Sequence, residues 1–312
     1  MPPRPLIIDC DPGVDDAIAL MVALTAPELA VEAIVAVAGN VPLGLTERNA
    51  RQICTLMGRP DVPVYAGCPR PLLRSPIAAP EVHGITGLKG ATLPEPAQPC
   101  QTTHGVTYLM AALSQAPAPL TLATLGPLTN LAVVLIQRPD LTEKIAEVVM
   151  MGGGIRQGNV TPVAEFNIYA DPHAAQVVFA AGVPITLIGL DVTHQVLTTP
   201  ERLARLRAMG NPVSAVAADL LTHYGHLDRE QLGLPGAPLH DPCVIAYLLR
   251  PDLFAGYPAQ VTVETDSPLT LGQTVVNGRD LPSNQPPVNV IHQVDAAGVY
   301  DLICQHLALA SP

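Results

Sequence analysis

Residues 6–20 read LIIDCDPGVDDAIAL, a short apolar run followed by a Pro-Gly turn and a second, longer apolar stretch. The first run is typical of a buried strand, and the residues after the turn have the pattern of a helix. The unit carries four carboxylates near the turn: Asp9, Asp11, Asp15 and Asp16. Buried carboxylates need a compensating positive charge, and no Lys or Arg occurs in 5–47. This stretch therefore predicts a strand–turn–helix unit that holds a cation.

The alternation of strand and helix continues along the chain. Strands that are apolar without a break are predicted at 5–9, 31–37, 120–125, 145–151 and 185–189. Helices are predicted between and after them at 15–24, 45–57, 106–113, 127–137 and 172–181. Continuously apolar strands are expected where helices cover both faces of a parallel sheet. We therefore predict an α/β fold: an open, mostly parallel, doubly wound sheet with a Rossmann-like core, flanked by helices.

The composition excludes several classes of protein. With 16 basic and 27 acidic residues the formal charge is −11, which does not suit a nucleic-acid groove. The six cysteines form no C-x-x-C pair, so neither a zinc knuckle nor a disulfide scaffold is expected. The start of the chain does not read as a signal peptide, and no apolar run approaches the roughly 20 residues of a membrane span. We expect a cytoplasmic protein without nucleic-acid or membrane partners.

The chain shows no internal repeat and no clean linker, so we predict one domain over 1–312. Two segments stand out within it. The 69–100 segment is rich in proline and long for a loop in a compact enzyme, which predicts an active-site lid; the alternative is an inert surface excursion. The 223–239 segment is predicted to lie on the substrate side as well. After 257, short strands precede a final helix near 296–309.

Polar residues follow the predicted strands at their carboxyl ends, where open parallel sheets bind their ligands. The second strand leads to Asn40, and the third to the backbone around Leu125. A Gly-rich turn at 152–154 follows the fourth strand and leads to three further candidates: Asn159, Glu165 and Asn167. Much later, His240 and Asp241 stand at the start of an apolar helix. We expect these residues to meet in one cleft with its active site at the carboxyl ends of the strands.

The chemistry of this set fits a hard cation. Carboxylate and carbonyl oxygens are the ligands of Ca²⁺ or Mg²⁺, and no Cys/His spacing indicates zinc. Such a cation activates a water while a nearby carboxylate removes its proton, and the remaining amides and acids can pair with the hydroxyls of a sugar. Structural roles stay open for single residues. Asp15 and Asp16 suit a helix N-terminus, Asn40 suits a turn, and His240 suits a core position.

Five motifs in order resemble the nucleoside hydrolase family of the inosine/uridine-preferring type: D-x-D-P-G-x-D-D at 9–16, V-H-G at 82–84, L-G-P-L-T-N at 125–130, M-G-G with G-N-x5-E-F-N at 151–167 and H-D-P at 240–242. The resemblance spans about three quarters of the chain. It implies Ca²⁺-dependent hydrolysis of the N-glycosidic bond of ribonucleosides, which gives free base and ribose. It also implies a homo-oligomer, either a dimer or a tetramer.

The resemblance implies roles for individual residues. Asp11 matches the base that activates a metal-bound water, and His240 matches a candidate acid for the leaving base. The cofactor Ca²⁺ would be held by four groups: Asp11, Asp16, Asp241 and the carbonyl of Leu125. The ribose would be bound by Asp15, Asn40, Asn159, Glu165, Asn167 and Asp241. His83 and Phe166 match positions beside the nucleobase, and Asp9 matches a support for the first strand end.

Base preference and two rival functions stay open. Pyrimidine-preferring members of the family carry a tyrosine shortly before H-D-P, where this chain has Leu232, and its nearest tyrosine is Tyr224. The main expectation is therefore a purine and pyrimidine ribonucleoside hydrolase, with pyrimidine specificity as the alternative. Leu271 stands where the family often has arginine. The rivals are a haloacid-dehalogenase-type phosphatase with Asp9 as nucleophile, and a catalytically weak nucleoside- or sugar-binding protein.

Overall fold

The computed structural model describes residues 2–225, 229–230, 232–279 and 286–310. Its strands are β1 (Arg4–Cys10), β2 (Leu29–Ala36), β3 (Val64–Ala66), β4 (Leu120–Thr124), β5 (Ile145–Met151), β6 (Ile185–Ile188), β7 (Leu197–Thr198), β8 (Ala237–Pro238), β9 (Phe254–Val263), β10 (Thr274–Asn277) and β11 (Val288–Val294). The helices of the first half are α1 (Val14–Thr25), α2 (Leu43–Leu56), α3 (Pro80–His83), α4 (Gly105–Gln115) and α5 (Thr129–Gln137). Those of the second half are α6 (Phe166–Ala170), α7 (Pro172–Ala180), α8 (Leu190–Thr193), α9 (Pro200–Ala208), α10 (Pro212–His223), α11 (Pro242–Leu249) and α12 (Ala296–Leu309).

One sheet contains most of these strands, in the order β10-β9-β11-β6-β5-β4-β1-β2-β3. Six neighbouring strands pair in parallel, in the sheet order β6-β5-β4-β1-β2-β3. The strand β11 also pairs in parallel with β6. The order of the six strands, 3-2-1-4-5-6, is that of the doubly wound dinucleotide-binding fold. The antiparallel pairings among the described strands of this sheet are β9 with β11 and β10 with β9, so β9 runs against the direction of its neighbours. The prediction of an open, mostly parallel α/β sheet is confirmed.

The two faces of the sheet explain why the strands are apolar throughout. In β1, Leu6 and Ile8 pack into a core with α1 and α11, while Ile7 packs into a second core with α4 and α5 on the other face. Every residue of α1 from Val14 to Leu24 is buried. A helix that is apolar on all sides is expected at the centre of a layer, and α1 is covered by α2, α10, α11 and α12. The continuous apolar pattern thus comes from burial on both sides.

Some elements differ from their predicted form. The short strand β3 was not predicted, and it pairs in parallel with β2 at the edge of the sheet. The 69–100 segment is not free of structure, because α3 lies within it and Gln101 bridges back to Tyr65. No helix within the described residues is long and apolar enough to cross a membrane.

Candidate active site

The site lies where the strand order reverses, between β1 and its neighbour β4. A crevice opens at such a point because the chain leaves the two strands toward opposite faces of the sheet. The cavity found there is lined by residues from the ends of several elements: Asp15, Asn40, Ala79, Glu81, Val82, His83, Leu125, Met151, Asn159, Val160, Glu165, Phe166, Asn167, Tyr224, His240 and Asp241. The structure therefore brings the predicted site residues together, although they are spread over more than two hundred positions.

Asp11 and Asp16 do not line the cavity but lie directly beneath it, with no exposed surface. The Asp11 Oδ2 atom accepts a hydrogen bond of 2.7 Å from the Asn40 backbone N–H. Glycine is required at two points around this carboxylate, since a Cβ at Gly39 or Gly126 would stand closer than 3.0 Å to its atoms. The backbone thus closes around Asp11 and fixes where its free oxygen points.

Asp16 both starts a helix and faces the other carboxylates. Its Oδ2 accepts from the Gly13 N–H at 2.9 Å and from Asn40 Nδ2 at 3.1 Å, and its Oδ1 accepts from the Asp11 N–H at 3.3 Å. By accepting the N–H of the N-cap residue Gly13, the Asp16 carboxylate caps the start of α1. The Pro-Gly turn at 12–13 therefore folds as it does because Asp16 reaches back to cap it.

Three buried carboxylates, from Asp15, Asp16 and Asp241, offer oxygens that lie within 4.8 Å of one another. Burial, and then the charge of Asp15, raises the pKa of Asp16 to about 7. Burial and the charges of Asp15 and Asp16 raise the pKa of Asp241 well above its usual range. The pKa of Asp11 is raised in the same way by burial and by Asp16. Like charges held this close cannot all ionise without a counter-charge.

The residues present fit a hard divalent cation. The Asp11 Oδ1 and Asp15 Oδ1 atoms are buried without a hydrogen-bond partner among the described residues, and none of the described lysines or arginines lines the cavity. All donors are oxygens, as Ca²⁺ and Mg²⁺ prefer. The three carboxylates whose oxygens lie within 4.8 Å of one another include Asp15. The resemblance instead implied Asp11, together with Asp16 and Asp241, as the carboxylate ligands of the metal. Gly126, the residue after Leu125, lies against the Asp11 carboxylate.

Glu165 and Asn167 organise the side of the cavity below the Gly-rich turn. Glu165 caps α6, since its carboxylate accepts from the N–H groups of Asn167 and Ile168, and it also accepts from the Gly153 N–H at 2.9 Å. Burial raises the pKa of Glu165 while these donors oppose the shift. Asn167 Nδ2 donates to the Leu125 carbonyl at 2.7 Å, which leaves that oxygen its second lone pair.

Asn159 stands at the same side of the cavity, on the loop that precedes α6. Its side-chain oxygen accepts from the Phe166 N–H at 3.0 Å. The Asn159 carbonyl is thus engaged by the backbone, and its NH₂ group is the part that can donate to a ligand. Phe166, the first residue of α6, lies half-buried beside it.

The opposite end of the cavity is aromatic. His83 lies 5.6 Å from the Tyr224 ring, measured between centroids, and Tyr224 lies 6.4 Å from the His240 ring in an edge-on arrangement. His83 Nδ1 accepts the Val14 N–H at 3.1 Å, so it carries no proton toward Asp15 Oδ1, 4.0 Å away. Aromatic rings that can also form hydrogen bonds are suited to contact a nucleobase.

Sequence reasoning did not place Tyr224 or Met151 in the site. Tyr224 follows α10 directly and is nearly buried, at 5% exposure. The sequence shows a tyrosine at 224, but no local sequence pattern shows that α10 ends at the cavity. Leu232, in contrast, is partly exposed and lines a neighbouring groove instead of the cavity. Of the predicted 223–239 segment, residues 226–228 and 231 lie outside the described residues.

Comparison with known proteins agrees with this geometry. The sequence profile described as inosine-uridine preferring nucleoside hydrolase matches residues 6–301. The chain is 47% identical over 305 residues to a pyrimidine-specific ribonucleoside hydrolase RihA of Citrobacter koseri, covering 97% of this chain and 98% of that protein. It is also 47% identical over 306 residues to the RihA protein of Photobacterium profundum, with coverage of 98% and 99%.

Solved structures show the same relationship. A purine-preferring ribonucleoside hydrolase from Gardnerella vaginalis is similar with a TM-score of 0.92 and 30% identity, over 98% of this chain and 99% of that one. The plant nucleoside hydrolase PpNRh1 is similar with a TM-score of 0.91 and 33% identity over the whole of both chains. These matches decide against the phosphatase alternative. The chain belongs to the inosine-uridine preferring nucleoside hydrolase family and is an enzyme that hydrolyses the N-glycosyl bond of ribonucleosides.

Proposed function

We propose that this enzyme is a Ca²⁺-dependent ribonucleoside hydrolase that prefers pyrimidine nucleosides. The observation that carries the cation is the group of buried carboxylates from Asp15, Asp16 and Asp241, whose oxygens lie within 4.8 Å of one another. With no lysine or arginine of the described residues lining the cavity, a bound cation is the counter-charge that this arrangement requires.

The groups proposed to hold the cation are the carboxylates of Asp11, Asp16 and Asp241 and the carbonyl of Leu125. When bound, Ca²⁺ supplies a Lewis acid that lowers the pKa of a water and neutralises the carboxylates. Asp15 belongs to the closest trio as well, and it also lines the cavity. We assign Asp15 to the ribose, because the carboxylates of Asp11, Asp16 and Asp241 already suffice to hold the cation.

Ribose binding is proposed to align the sugar for attack. Amides and acids at the cavity wall, namely Asp15, Asn40, Asn159, Glu165, Asn167 and Asp241, can pair with its hydroxyls. Asp11 takes a proton from the attacking water, and the hydroxide oxygen forms the new bond to C1′. Contacts that strengthen as positive charge builds on the sugar ring lower the barrier.

His240 is proposed to assist the departure of the base. As the C1′–N bond breaks, its electron pair passes to the base, and a proton from the imidazole neutralises the base. The ring then recovers a proton from solvent. His83 and Phe166 hold the base from either side, and Tyr224, whose ring lies between those of His83 and His240, is the further aromatic group at the base end of the cavity.

The pyrimidine preference rests on the relatives. Several proteins 46–47% identical to this chain over nearly its whole length are named pyrimidine-specific ribonucleoside hydrolases. This favours the alternative over the broader purine and pyrimidine reading. The absence of a tyrosine at 232 argued the other way, but Tyr224, which follows α10, is a tyrosine that lines the cavity and so supports the pyrimidine alternative.

A substrate panel tests the proposal. Uridine, cytidine, inosine, adenosine, guanosine and deoxyuridine are assayed for release of free base, each with added Ca²⁺ and with excess chelator. We expect uridine and cytidine to exceed the purine nucleosides by at least tenfold in kcat/KM. We also expect chelation to abolish turnover and Ca²⁺ to restore it. Equal rates for inosine and uridine would contradict the base preference, and full activity in chelator would contradict the cation.

Asp11→Asn tests the proposed base, with Asp9→Asn as the matched control. The control makes the same change two residues away, at a side chain that is 5% exposed and does not line the cavity. Loss of a general base typically costs about a hundredfold or more in rate. We expect that loss for Asp11→Asn with folded protein, and less than about threefold for Asp9→Asn. Normal turnover by Asp11→Asn would remove Asp11 from the role.

Three further properties are proposed, of which the oligomeric state comes from the resemblance and the other two from the sequence itself. The 69–100 segment acts as a lid; its residues Ala79 to His83 form part of the cavity wall, and the Ala79 N–H donates to the Asn40 carbonyl at 3.0 Å. Substrate should therefore protect this segment from hydrogen exchange. The enzyme is also proposed to be a dimer or tetramer, which light scattering measures, and to reside in the cytoplasm, which cell fractionation measures.

A further inference from the structure

A hydroxyl group outside the cavity holds the proposed acid, His240. The Thr193 Oγ1 atom lies 2.8 Å from His240 Nδ1. Thr193 has no exposed surface, and His240 is 6% exposed. The bond is long-range, because the two residues are 47 positions apart in the chain. None of the motifs that identify the family contains Thr193.

The backbone brings these two residues together in a defined way. Thr193 ends the short helix α8, where its N–H donates to the Gly189 carbonyl at 3.1 Å. Three residues later, the Val196 carbonyl accepts from the Leu239 N–H at 2.8 Å, directly before His240. The strands β7 and β8 continue this pairing. The segment after β6 and the segment before α11 are thus tied together directly beside the Thr193–His240 contact.

The hydroxyl of Thr193 is buried in a mostly apolar stretch of chain, next to His194, whose ring lies 5.7 Å from that of His240 between centroids. Leu190, Val192 and Val196 have no exposed surface, and a valine would fit the same volume. A buried hydroxyl costs free energy unless it is hydrogen-bonded. Among the described residues, the hydrogen bond that the structure shows for this hydroxyl is the one to His240.

The bond decides which side of the imidazole can serve the substrate. Because Nδ1 is engaged by Thr193, any hydrogen bond from the ring to a leaving base must use Nε2. A threonine hydroxyl both donates and accepts, so the contact persists whichever nitrogen carries a proton before and after transfer. Orientation to within a fraction of an ångström is what makes such transfer effective.

From this geometry we propose that Thr193 is a positioning residue for leaving-group departure: it orients His240 so that Nε2 faces the nucleobase. The inference rests on the proposed function, since it requires His240 to act on the leaving base. Thr193 itself does not touch the substrate. Its removal should therefore slow only those reactions in which the base needs help to leave.

The experiment is a double-mutant cycle read out on two substrates. Thr193→Val is made in wild-type enzyme and in His240→Ala enzyme, and each is assayed with uridine and with 4-nitrophenyl riboside, whose leaving group departs without an acid. Thr193→Ser restores the hydroxyl. Thr186→Val is the matched control: it removes a buried hydroxyl from β6, the strand that leads into α8, where Oγ1 lies 2.7 Å from a side-chain oxygen of Glu147.

We expect Thr193→Val to lower kcat for uridine about tenfold, a part of the hundredfold or more that an acid contributes, with KM changed less than about twofold. The rate with 4-nitrophenyl riboside should change less than about twofold, and Thr193→Ser should recover most of the uridine rate. In His240→Ala enzyme, Thr193→Val should add nothing, since the two residues act as one unit. Thr186→Val should lower the rates with the two substrates by the same factor, or leave both rates unchanged.

Equal losses on the two substrates, or a full loss from Thr193→Val in His240→Ala enzyme, would overturn the inference and leave Thr193 a packing residue. Failure of the proposed function looks different. In that case wild-type enzyme would fail to release base from uridine, or His240→Ala would lose activity equally on both substrates before Thr193 is changed.

Discussion

The affinity of the site for Ca²⁺ should fall steeply as the pH falls, because the cation competes with protons for the same carboxylates. Burial and the charge of Asp15 raise the pKa of Asp16 to about 7, and the pKa values of Asp11 and Asp241 are raised well above their usual range by burial and by neighbouring acids. Metal ligands must be deprotonated to bind. Each proton displaced weakens binding by up to about tenfold per pH unit below the pKa.

The magnitude follows from Asp16 alone. For one group of pKa about 7, lowering the pH from about 7.5 to about 5.5 weakens the binding of a cation that requires the ionised form by about 25-fold. Protons on Asp11 and Asp241 add to this, so about 25-fold is the lower limit. Near pH 6, about one proton or more should be released for each Ca²⁺ bound.

Isothermal titration calorimetry measures both quantities. Titrations of Ca²⁺ at several pH values give the dissociation constant, and titrations in buffers of different ionisation heat give the number of protons released. Asp9→Asn is the control, because Asp9 also has a raised pKa but lies outside the cavity, and it should leave the slope unchanged. A dissociation constant that changes less than about threefold between pH 7.5 and 5.5 would refute this account of the carboxylates.

The stability of the protein should show the opposite trend when the cation is removed. Carboxyls whose pKa is raised by folding bind more protons in the folded than in the unfolded state. Their contribution to stability is therefore complete below about pH 4 and is lost as the pH rises through about 7. We expect the melting temperature of chelated protein to fall from pH 5 to pH 8, and the gap to Ca²⁺-loaded protein to widen.

Further predictions concern the groups around the carboxylates. Gly126→Ala places a Cβ closer than 3.0 Å to the Asp11 carboxylate and should lower kcat at least tenfold. Gly44→Ala, whose Cβ meets no atom within 4 Å, is the control and should retain full activity. An active Gly126→Ala enzyme would contradict the close fit around Asp11. Asp9→Asn removes a group whose pKa is raised by burial to about 8. The free energy of unfolding of this variant, relative to that of wild type, should therefore grow by up to about 1.4 kcal/mol per pH unit between pH 5 and 8. A difference in urea unfolding that stays constant with pH would show that Asp9 is ionised when folded. Glu165→Gln replaces an acceptor of three backbone N–H groups and should lower stability by about 1–3 kcal/mol and raise KM for uridine, and an unchanged KM in steady-state assays would separate Glu165 from substrate binding.

The strand–turn–helix unit and its sheet could be predicted because their signals are local. The apolar runs, the turn at 12–13 and the acids after it each depend on neighbouring residues alone. The chain order of the motifs then indicated which strand ends would meet. Short elements escaped this reasoning, since β3 has three residues and β7 and β8 have two each, which is too few for a period to appear.

The side chains that complete the site could not be predicted, because their positions depend on contacts between distant segments. Tyr224 reaches the cavity only because α10 ends there, and the contact between Thr193 and His240 joins residues 47 positions apart. Burial was equally hidden. The resemblance separated Asp11 and Asp16, as metal ligands, from Asp15, as a ribose contact, but nothing in the sequence showed that the first two lie beneath the cavity while Asp15 lines it.

In this topology the start of the first helix usually binds an anionic ligand, but here the carboxylate of Asp16 occupies that position. In dinucleotide-binding relatives of the topology, the free N–H groups at the start of the first helix receive a pyrophosphate. Here the N–H of Gly13 is already taken by the Asp16 carboxylate, so the positive end of the helix dipole serves an internal anion. Under the proposed function, the crevice would accept a cation and a neutral sugar in place of a phosphate.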